Sequence, residues 1–260
     1  MSLVRTERDG AVAVLTMTNG ARLNALGSAL IADLLAALDG AEEDGVRALV
    51  LRAEPGVTTW SAGHDIEELP TDGRDPLMWT NPLEMLLRRV RDVPYAVIAA
   101  VEGGVWGGAC DLAITCDLVV AVRTATFAIT PAKLGVPYNT AGVAHFLGAL
   151  PLHRVKEMFF TGNPITADTA YQFGLVNRLV GDEVEMAGEA LALARVVAER
   201  APLVIRSTKA EFTALTDASP MTAEIFERLT SLRRDAWRSE DFQEGIRAFH
   251  ERRAPRFTGR

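Results

Sequence analysis

The most constraining feature of the sequence is a nearly continuous apolar stretch over residues 93–122, which Glu102, Asp111 and Asp117 interrupt and several glycines divide. A membrane-spanning helix needs about 20 consecutive apolar residues, and glycines within such a stretch favour turns instead. The stretch therefore predicts buried elements of a protein core. These elements are a strand over 95–101, a helix over 107–115 and a strand over 118–123.

The residues around this stretch predict an alternation of strands and helices. The dipeptide Asp9-Gly10 favours a tight hairpin turn between strands over 3–8 and 11–18. Further predicted elements are a helix that Ser28 caps and that ends near 44, a helix that Asn81 caps and that ends near 92, and strands over 48–52 and 126–129. Such alternation indicates an α/β fold whose sheets are at least partly parallel.

Beyond residue 140 the apolar periodicity is almost wholly helical. The predicted helices cover 141–150, 152–160, 167–173, 183–199, 202–215 and 221–253, and a strand over 175–180 interrupts them. We therefore divide the chain into an α/β core over 1–200 and a helical oligomerisation region over 201–260. Apolar positions in the second region exceed what a lone surface helix needs, which indicates burial between subunits. They are Phe226, Leu229, Leu232, Phe242, Ile246 and Phe249.

Composition excludes several classes of function. The chain has 27 Lys and Arg against 34 Asp and Glu, a net charge of −7, so it lacks the basic excess that nucleic-acid binding requires. Its four histidines are scattered, and the spacing of Cys110 and Cys116 fits neither a metal knuckle nor a CxxC pair, so we expect no metal site. Because no apolar segment opens the chain, we expect no secretory signal, no membrane association and a cytoplasmic location.

Two glycine-rich segments each follow a predicted strand: Ser-Ala-Gly-His-Asp-Ile at 61–66, and the residues 102–111. Backbone N–H groups at the start of a helix have no partner within that helix, and the helix dipole attracts negative charge to them. Brought together, two such segments would form an oxyanion hole. The alternative is that the glycines only permit tight turns and close packing.

The segments at 61–66 and 104–109 (Gly-Val-Trp-Gly-Gly-Ala), with Leu-Asn-Ala-Leu at 23–26, resemble the oxyanion-hole region of the crotonase, or enoyl-CoA hydratase/isomerase, superfamily. The resemblance extends from about residue 3 to the C-terminus. It implies a crotonase-type spiral of ββα units, a helical trimerisation region, an acyl-CoA thioester substrate and a homotrimer or homohexamer. CoA would belong to the substrate, so no separate cofactor is implied.

The positions of two acidic residues distinguish reactions within this superfamily. Its hydratases activate water with two glutamates, and the matching positions here hold Asp111 and Pro131. Because a proline side chain neither accepts nor delivers a proton, we do not expect efficient hydration by that route. Longer stretches instead resemble the methylmalonyl-CoA decarboxylases of the superfamily, which implies conversion of methylmalonyl-CoA to propionyl-CoA and CO2. These stretches cover 61–70, 73–77, 101–109, 130–139 and 239–245.

The same resemblance implies roles for individual residues. The backbone amides of His64 and Gly108 would hold the thioester oxygen, and Tyr138 would orient the departing carboxylate. The implied substrate-binding residues are Arg22, Leu23, Ala25, Ala62, Asp65, Ile66, Trp106, Gly107 and Pro131. Of these, Trp106 is expected to form an apolar wall, and Asp65 also suits the N-cap of a short helix.

Several alternatives stay open at this point. The His64 side chain could instead act as a general acid, and Asp111 could be a weak acid/base or, as we favour, a carboxylate on the helix surface. The basic residues Arg252, Arg253 and Arg256 could contact the CoA phosphates or remain solvated. Competing functions are enoyl-CoA hydration or isomerisation, acyl-CoA hydrolysis, and acyl-CoA binding without catalysis.

Overall fold

The computed structural model describes residues 2–70, 74–76, 78–218 and 221–260. Gly73 and Leu77, at the ends of one stretch that carried the resemblance, lie outside the described residues. The predicted hairpin is confirmed: β1 (Val4–Asp9) and β2 (Val12–Met17) are antiparallel. Gly10 makes the turn with a φ of 60°, which glycine adopts without strain.

A six-stranded sheet forms the larger of the two sheets among the described residues. Its order is β1-β2-β3-β5-β7-β10, with β3 at Ala48–Ala53, β5 at Ala96–Val101, β7 at Leu118–Val122 and β10 at Arg178–Val180. All its pairings except that of the N-terminal hairpin are parallel. All six side chains of β5 are buried, as expected for a parallel strand covered on both faces. The last strand is shorter than the predicted 175–180, because residues 175–177 precede its pairing with β7.

A second sheet positions the glycine-rich segments, and most of it was not predicted. Its order is β4-β6-β8-β9, with β4 at Thr59–Ser61, β6 at Gly104–Trp106, β8 at Thr126–Ala128 and β9 at Ile165–Thr166. These strands are too short to show the period-two alternation that identifies a strand. Because β4 and β6 are parallel neighbours, their carboxyl ends lie side by side, and the two glycine-rich turns begin there.

Helix α1 (Ser28–Glu43) packs its Leu30, Leu34 and Leu38 into the core, but its start differs from the prediction. Ser28 is the first helical residue and the N-cap is Gly27, which has no side chain to accept a hydrogen bond. The carboxylate of Glu68 takes that role instead, accepting hydrogen bonds from the Ser28 amide at 3.0 Å and from its hydroxyl at 2.7 Å. The cap of α1 therefore comes from a residue distant in sequence.

Helices α2 (Pro82–Asp92) and α3 (Gly108–Thr115) match their predictions closely. The Asn81 side chain caps α2 by accepting a hydrogen bond from the Leu83 amide at 2.8 Å. Helix α3 begins within the second glycine-rich segment, at Gly108, so its free N–H groups face the end of β6.

The remaining helices follow, and one prediction among them is wrong. They are α4 (Thr140–Ala149), α5 (Leu152–Thr161), α6 (Ala167–Phe173), α7 (Glu183–Ala198), α8 (Pro202–Thr216), α9 (Ala223–Trp237) and α10 (Glu240–His250). The predicted continuous helix over 221–253 is divided, because the Ser239 hydroxyl accepts a hydrogen bond from the Phe242 amide and caps a new helix. The apolar periodicity continues across this break, so periodicity alone does not reveal where α9 ends and α10 begins.

The helical C-terminal region is not uniformly exposed. Phe226, Leu232 and Phe249 are exposed, as a subunit interface would require before assembly, but Phe242 is fully buried within its own chain. Its ring packs edge-on against Trp237, with 4.8 Å between ring centroids. The expected burial of Phe242 between subunits is therefore wrong. Among the described helices, none combines the length and the apolar character that crossing a bilayer demands.

Candidate active site

The two glycine-rich segments meet, and glycine is required at their contact. Gly63 has a φ of 80°, and a Cβ there would lie 2.2 Å from the carbonyl oxygen of Trp106 and 2.9 Å from the amide of Gly108. No side chain fits at such distances, so Gly63 lets the backbones of β4 and β6 approach each other closely.

Two backbone N–H groups remain available at this contact, those of His64 and Gly108. Neither donates a hydrogen bond to any residue that the structure describes. A Cβ on Gly108 would lie 3.3 Å from the His64 nitrogen, so both amides border the same small space. Gly108 is also the first residue of α3, where the helix dipole favours negative charge. The arrangement is that of an oxyanion hole.

A loop over residues 19–27 is bound along the first glycine-rich segment. The Ala62 amide donates to the Leu23 carbonyl at 2.9 Å, and the Leu26 amide donates to the Gly63 carbonyl at 2.7 Å. Leu23 has a positive φ of 52°, and Ala25 closes the turn by donating its amide to the Arg22 carbonyl. The structure thus brings Arg22, Leu23, Ala25 and Ala62 together.

Asp65 has a structural role beside this loop. Its side chain is buried and forms a 2.9 Å ion pair with Arg22. It also accepts a hydrogen bond from the Glu67 amide at 3.1 Å, which confirms the predicted cap of the short helix Ile66–Glu68. Asp65 therefore joins the loop to the segment that carries His64.

A small cavity of about 80 Å³ opens between the two segments and α2. It is lined by Ala62, His64, Ile66, Leu69, Leu83, Glu84, Gly107, Gly108, Asp111, Thr130, Pro131, Leu134, Val136, Tyr138 and Asn139. The predicted residues His64, Gly108, Tyr138 and Pro131 thus share one site. Trp106 is not part of this lining, because its ring packs over Gly104, where a Cβ would lie 2.2 Å from the indole. The expected apolar wall is formed instead by leucine, isoleucine and valine side chains.

Tyr138 places a phenol hydroxyl in the cavity. Its ring stacks edge-on with Phe146 and Phe159, at centroid distances of 6.3 and 5.0 Å. The hydroxyl lies 3.4 Å from the Gly107 carbonyl oxygen and 3.4 Å from Asp111 Oδ2. Burial, with the negative charge of Asp111 as a second cause, raises the pKa of Tyr138 well above its ordinary value. The hydroxyl therefore remains a proton-bearing donor and not a base.

The prediction that Asp111 is a surface carboxylate is wrong. Asp111 is only 2% exposed and its carboxylate lies between α3 and α4. Its Oδ1 is 2.8 Å from His145 Nδ1, and His145 Nε2 is 3.3 Å from an Arg91 guanidinium nitrogen. Asp111 directly follows the buried Cys110 in helix α3. Sequence periodicity alone therefore does not show which side of this helix faces the cavity and which side faces solvent.

Glu84 is a second buried acid that sequence analysis missed. Its carboxylate accepts a hydrogen bond from the Asn139 side chain, and burial raises its pKa. The available signal was its position in α2, where Leu83, Leu87 and Val90 form the buried face and Glu84 lies at the edge of that face.

The His64 side chain is neutral near neutral pH. Burial lowers its pKa below the ordinary value of 6.5. Its Nδ1 lies 3.1 Å from the Asp65 carbonyl oxygen, to which it donates. A neutral imidazole is a weaker proton donor than an imidazolium, so the backbone amide is the better-supported functional group of this residue.

The basic C-terminal cluster is largely engaged within the chain. Arg253 forms ion pairs of 2.5 Å with both Glu244 and Glu251, and the Arg256 amide donates to Glu244 at 2.9 Å. Within the described ranges, no three His, Cys, Asp or Glu side chains are grouped so that they could hold a metal ion.

Comparison with known proteins agrees with this geometry. The sequence profile of the enoyl-CoA hydratase/isomerase family matches residues 7–260. Methylmalonyl-CoA decarboxylase of Escherichia coli (strain K12) is 43% identical over 248 residues, 95% of each chain. A probable enoyl-CoA hydratase of Bacillus subtilis (strain 168) is 32% identical over 263 residues, 100% of each chain.

A solved structure extends the similarity to the fold. The crystal structure of methylmalonyl-CoA decarboxylase complexed with 2S-carboxypropyl CoA matches with a TM-score of 0.97 at 41% identity, covering 100% of this chain and 99% of that one. The predicted crotonase-type fold and the resemblance to these decarboxylases are thereby confirmed. From the two joined glycine-rich segments, the profile match and the shared fold, we conclude that this chain belongs to the enoyl-CoA hydratase/isomerase, or crotonase, family.

Proposed function

We propose that this protein decarboxylates methylmalonyl-CoA to propionyl-CoA and CO2 through a thioester enolate. The observation that carries the proposal is the pair of free backbone amides of His64 and Gly108 at the wall of a cavity that also holds the Tyr138 hydroxyl. The relative with 43% identity, which bears the name of this activity, supports the same substrate.

The chemistry suits the groups that are present. When CO2 leaves, the electrons of the breaking C–C bond enter the thioester and place negative charge on its oxygen. Two fixed N–H donors stabilise that charge, each by several kcal/mol in a site that excludes water. No base is needed, because the carbon loses CO2 and not a proton. A proton from solvent then converts the enolate to propionyl-CoA.

Tyr138 is proposed to orient the departing carboxylate. Its raised pKa keeps the hydroxyl proton in place as a hydrogen-bond donor. The breaking C–C bond must lie roughly perpendicular to the thioester plane for its electrons to enter the enolate, so one well-placed hydrogen bond favours the reactive conformation.

The residue at the second acid position argues against hydration. Pro131 lines the cavity where, by resemblance, hydratases of the family carry a glutamate. Asp111 alone leaves the two-glutamate activation of water incomplete. Efficient hydration of an enoyl-CoA is therefore the less favoured function, although the Bacillus subtilis relative bears that name.

The remaining predicted residues are proposed to bind the thioester. Arg22, Leu23 and Ala25 lie on the loop fixed to Ala62, on the side where the CoA moiety would enter. Ile66, Gly107 and Pro131 line the small cavity, whose volume of about 80 Å³ suits a short acyl group. Asp65 would contribute indirectly, through its ion pair with Arg22. CoA would be part of the substrate, and no separate cofactor is proposed.

We also propose a homotrimer or homohexamer that works in the cytoplasm. Exposed apolar side chains on α8 and α9, including Phe212, Phe226 and Leu232, support assembly through the C-terminal region. Two buried free cysteines, Cys110 and Cys116, fit a reducing compartment. Sedimentation equilibrium should give three or six times the chain mass of 28.1 kDa, and a monomer at micromolar concentration would contradict the proposed assembly.

Mass spectrometry of CoA esters tests the proposed reaction. The purified protein is incubated separately with methylmalonyl-CoA, malonyl-CoA and crotonyl-CoA. We expect propionyl-CoA from the first thioester and little hydration of the third. Turnover of crotonyl-CoA with no loss of CO2 from either malonyl thioester would show instead a hydratase, in which Asp111 is a working acid/base.

A further inference from the structure

The charge of the cavity is unusual for a site that receives a carboxylate. Proteins generally bind carboxylates with Arg or Lys, because charge-assisted hydrogen bonds are the strong ones. No Arg or Lys is among the described residues that line this cavity, whereas two acids, Glu84 and Asp111, are. A substrate carboxylate would therefore meet neutral donors, among them the hydroxyls of Tyr138 and Thr130, and nearby acidic side chains.

Asp111 lies at the end of a chain of hydrogen bonds. A guanidinium can only donate, so His145 Nε2, 3.3 Å from Arg91, must accept. The His145 proton is then on Nδ1 and points to Asp111 Oδ1 at 2.8 Å. Arg91 is fixed in turn by Asp217 at 2.6 Å. The chain of hydrogen bonds therefore places one N–H donor on Oδ1 and fixes the position of the Asp111 carboxylate.

The second oxygen of Asp111 has a weak and shared partner. Among the residues that the structure describes, the one donor to Oδ2 is the Tyr138 hydroxyl, at 3.4 Å. That hydroxyl is equally far from the Gly107 carbonyl, and both distances exceed the 2.5–3.0 Å of a well-formed O–H···O hydrogen bond. Gly142 of α4 closes off this oxygen, since a Cβ there would lie 2.6 Å from it. Oδ2 thus competes for the Tyr138 proton.

We propose that Asp111, positioned by His145 and Arg91, repels the substrate carboxylate and competes with it for the Tyr138 proton, and so favours loss of that carboxylate as neutral CO2. This inference rests on the proposed decarboxylation. In the bound state Tyr138 donates to the substrate carboxylate. After the C–C bond breaks, CO2 is a poor acceptor, and the hydroxyl turns back to Asp111. The phenol keeps its proton throughout, so Asp111 is a positioning residue and not a base.

The experiment compares the binding of two thioester analogues by calorimetry. One probe is 2S-carboxypropyl-CoA, which keeps the carboxylate and does not react, and the other is propionyl-CoA, which lacks it. The ratio of their affinities cancels any general change in CoA binding. We expect Asp111→Asn to shift this ratio toward the carboxylate by about tenfold, because a close like charge is removed, while kcat for methylmalonyl-CoA falls.

Asp168→Asn is the matched control, since it makes the same change in a half-exposed carboxylate that pairs with Arg123. Its affinity ratio and kcat should equal those of the wild type. Asp111→Glu, which restores the charge, should return the ratio toward the wild-type value. An unchanged ratio in Asp111→Asn would overturn the inference.

A measurement on the wild type keeps the test independent of how the variant folds. A carboxamide analogue can accept from Tyr138 and donate to Asp111, so it should bind about tenfold more tightly than the carboxylate analogue. Preference for the carboxylate would overturn the inference. Neither probe reacts, so this binding result does not depend on the turnover of methylmalonyl-CoA. An absence of that turnover would refute the proposed function instead.

Discussion

At the scale of single residues, the environment of Tyr138 determines what it can contribute. Its hydroxyl is protonated at neutral pH, because burial raises the pKa of Tyr138 well above its ordinary value. We expect Tyr138→Phe to lower kcat about tenfold or more and to change the affinity for propionyl-CoA little, because only the orienting hydrogen bond is lost. Steady-state kinetics with calorimetry checks this split, and unchanged turnover would remove Tyr138 from the mechanism.

His64→Ala serves as the comparison for that variant. The proposed role of His64 lies in its backbone amide, which alanine retains, so the loss of activity should be milder than in Tyr138→Phe. A loss as large as that from removing an acid/base would favour the histidine side chain as the proton donor.

The buried Glu84 gives a pH-dependent prediction. Its pKa is raised by burial from the ordinary value of 4.5, so the folded state holds this proton more tightly than the unfolded chain, and stability is lost as the pH rises through the folded pKa. Glu84→Gln still accepts from Asn139 and should raise the free energy of unfolding more at pH 7 than at pH 4.5. Urea titrations at both pH values measure this difference.

Glu157→Gln is the control for that substitution, because Glu157 is exposed and, among the residues that the structure describes, its carboxylate pairs only with Arg154 on the same helix. It should change stability by no more than about 0.5 kcal/mol at either pH. Equal effects of Glu84→Gln at the two pH values would show that burial does not raise the pKa of Glu84.

Some site residues could be predicted from the sequence, and others could not, for a physical reason. His64, Gly108 and Tyr138 occur in short motifs whose chemistry is local, and the structure brings them into one cavity. Asp111 was misplaced and Glu84 was missed, because the burial of a helical carboxylate depends on which helices pack over it. For Asp111 that cover comes from α4, which follows it by about thirty residues.

At the scale of elements, α10 packs directly on the turn that carries Pro131. A Cβ on Gly245 would lie 2.0 Å from the Leu134 carbonyl oxygen, so Gly245→Ala must displace the helix or the turn. We expect it to lower the free energy of unfolding by about 1–3 kcal/mol and to raise KM, because Pro131 and Leu134 line the cavity. Thermal unfolding and steady-state kinetics test this prediction.

Gly188→Ala is the matched control within helix α7. Apart from the backbone of its own helix and its chain neighbours, no described atom lies within 4 Å of a Cβ at Gly188, so alanine there should stabilise the protein by about 1 kcal/mol through helix propensity. If both substitutions stabilised the protein, α10 would not be packed on the Pro131 turn as described.

Most long elements could be predicted, whereas the short ones that build the site could not. The apolar periodicity of α2, β5 and α7 extends over enough residues to identify each element. Strands β4 and β6 have only three residues each, and their pairing with each other stabilises them as strands. The break between α9 and α10 was missed because one serine cap at position 239 produces it.

At the scale of the whole molecule, the parallel arrangement of the two sheets explains why distant glycine segments share a site. Strands β3 and β5 are neighbours in one sheet, and β4 and β6 are neighbours in the other. Each glycine-rich turn follows one strand from the first pair and one strand from the second pair. Both turns therefore lie at the same edge of the two sheets. The net charge of −7 does not determine this geometry. It argues only against partners that require a basic surface.

The rate of propionyl-CoA formation from methylmalonyl-CoA, measured for the wild type and for Gly108→Ala, tests whether the two backbone amides hold the enolate. Alanine keeps the amide of residue 108 but places a methyl group 3.3 Å from the His64 nitrogen, in the proposed oxyanion hole. We expect the wild type to form propionyl-CoA and the folded variant to lose at least about a hundredfold in kcat. No propionyl-CoA from the wild type, or full turnover by the variant, would contradict decarboxylation through an enolate held by these two amides.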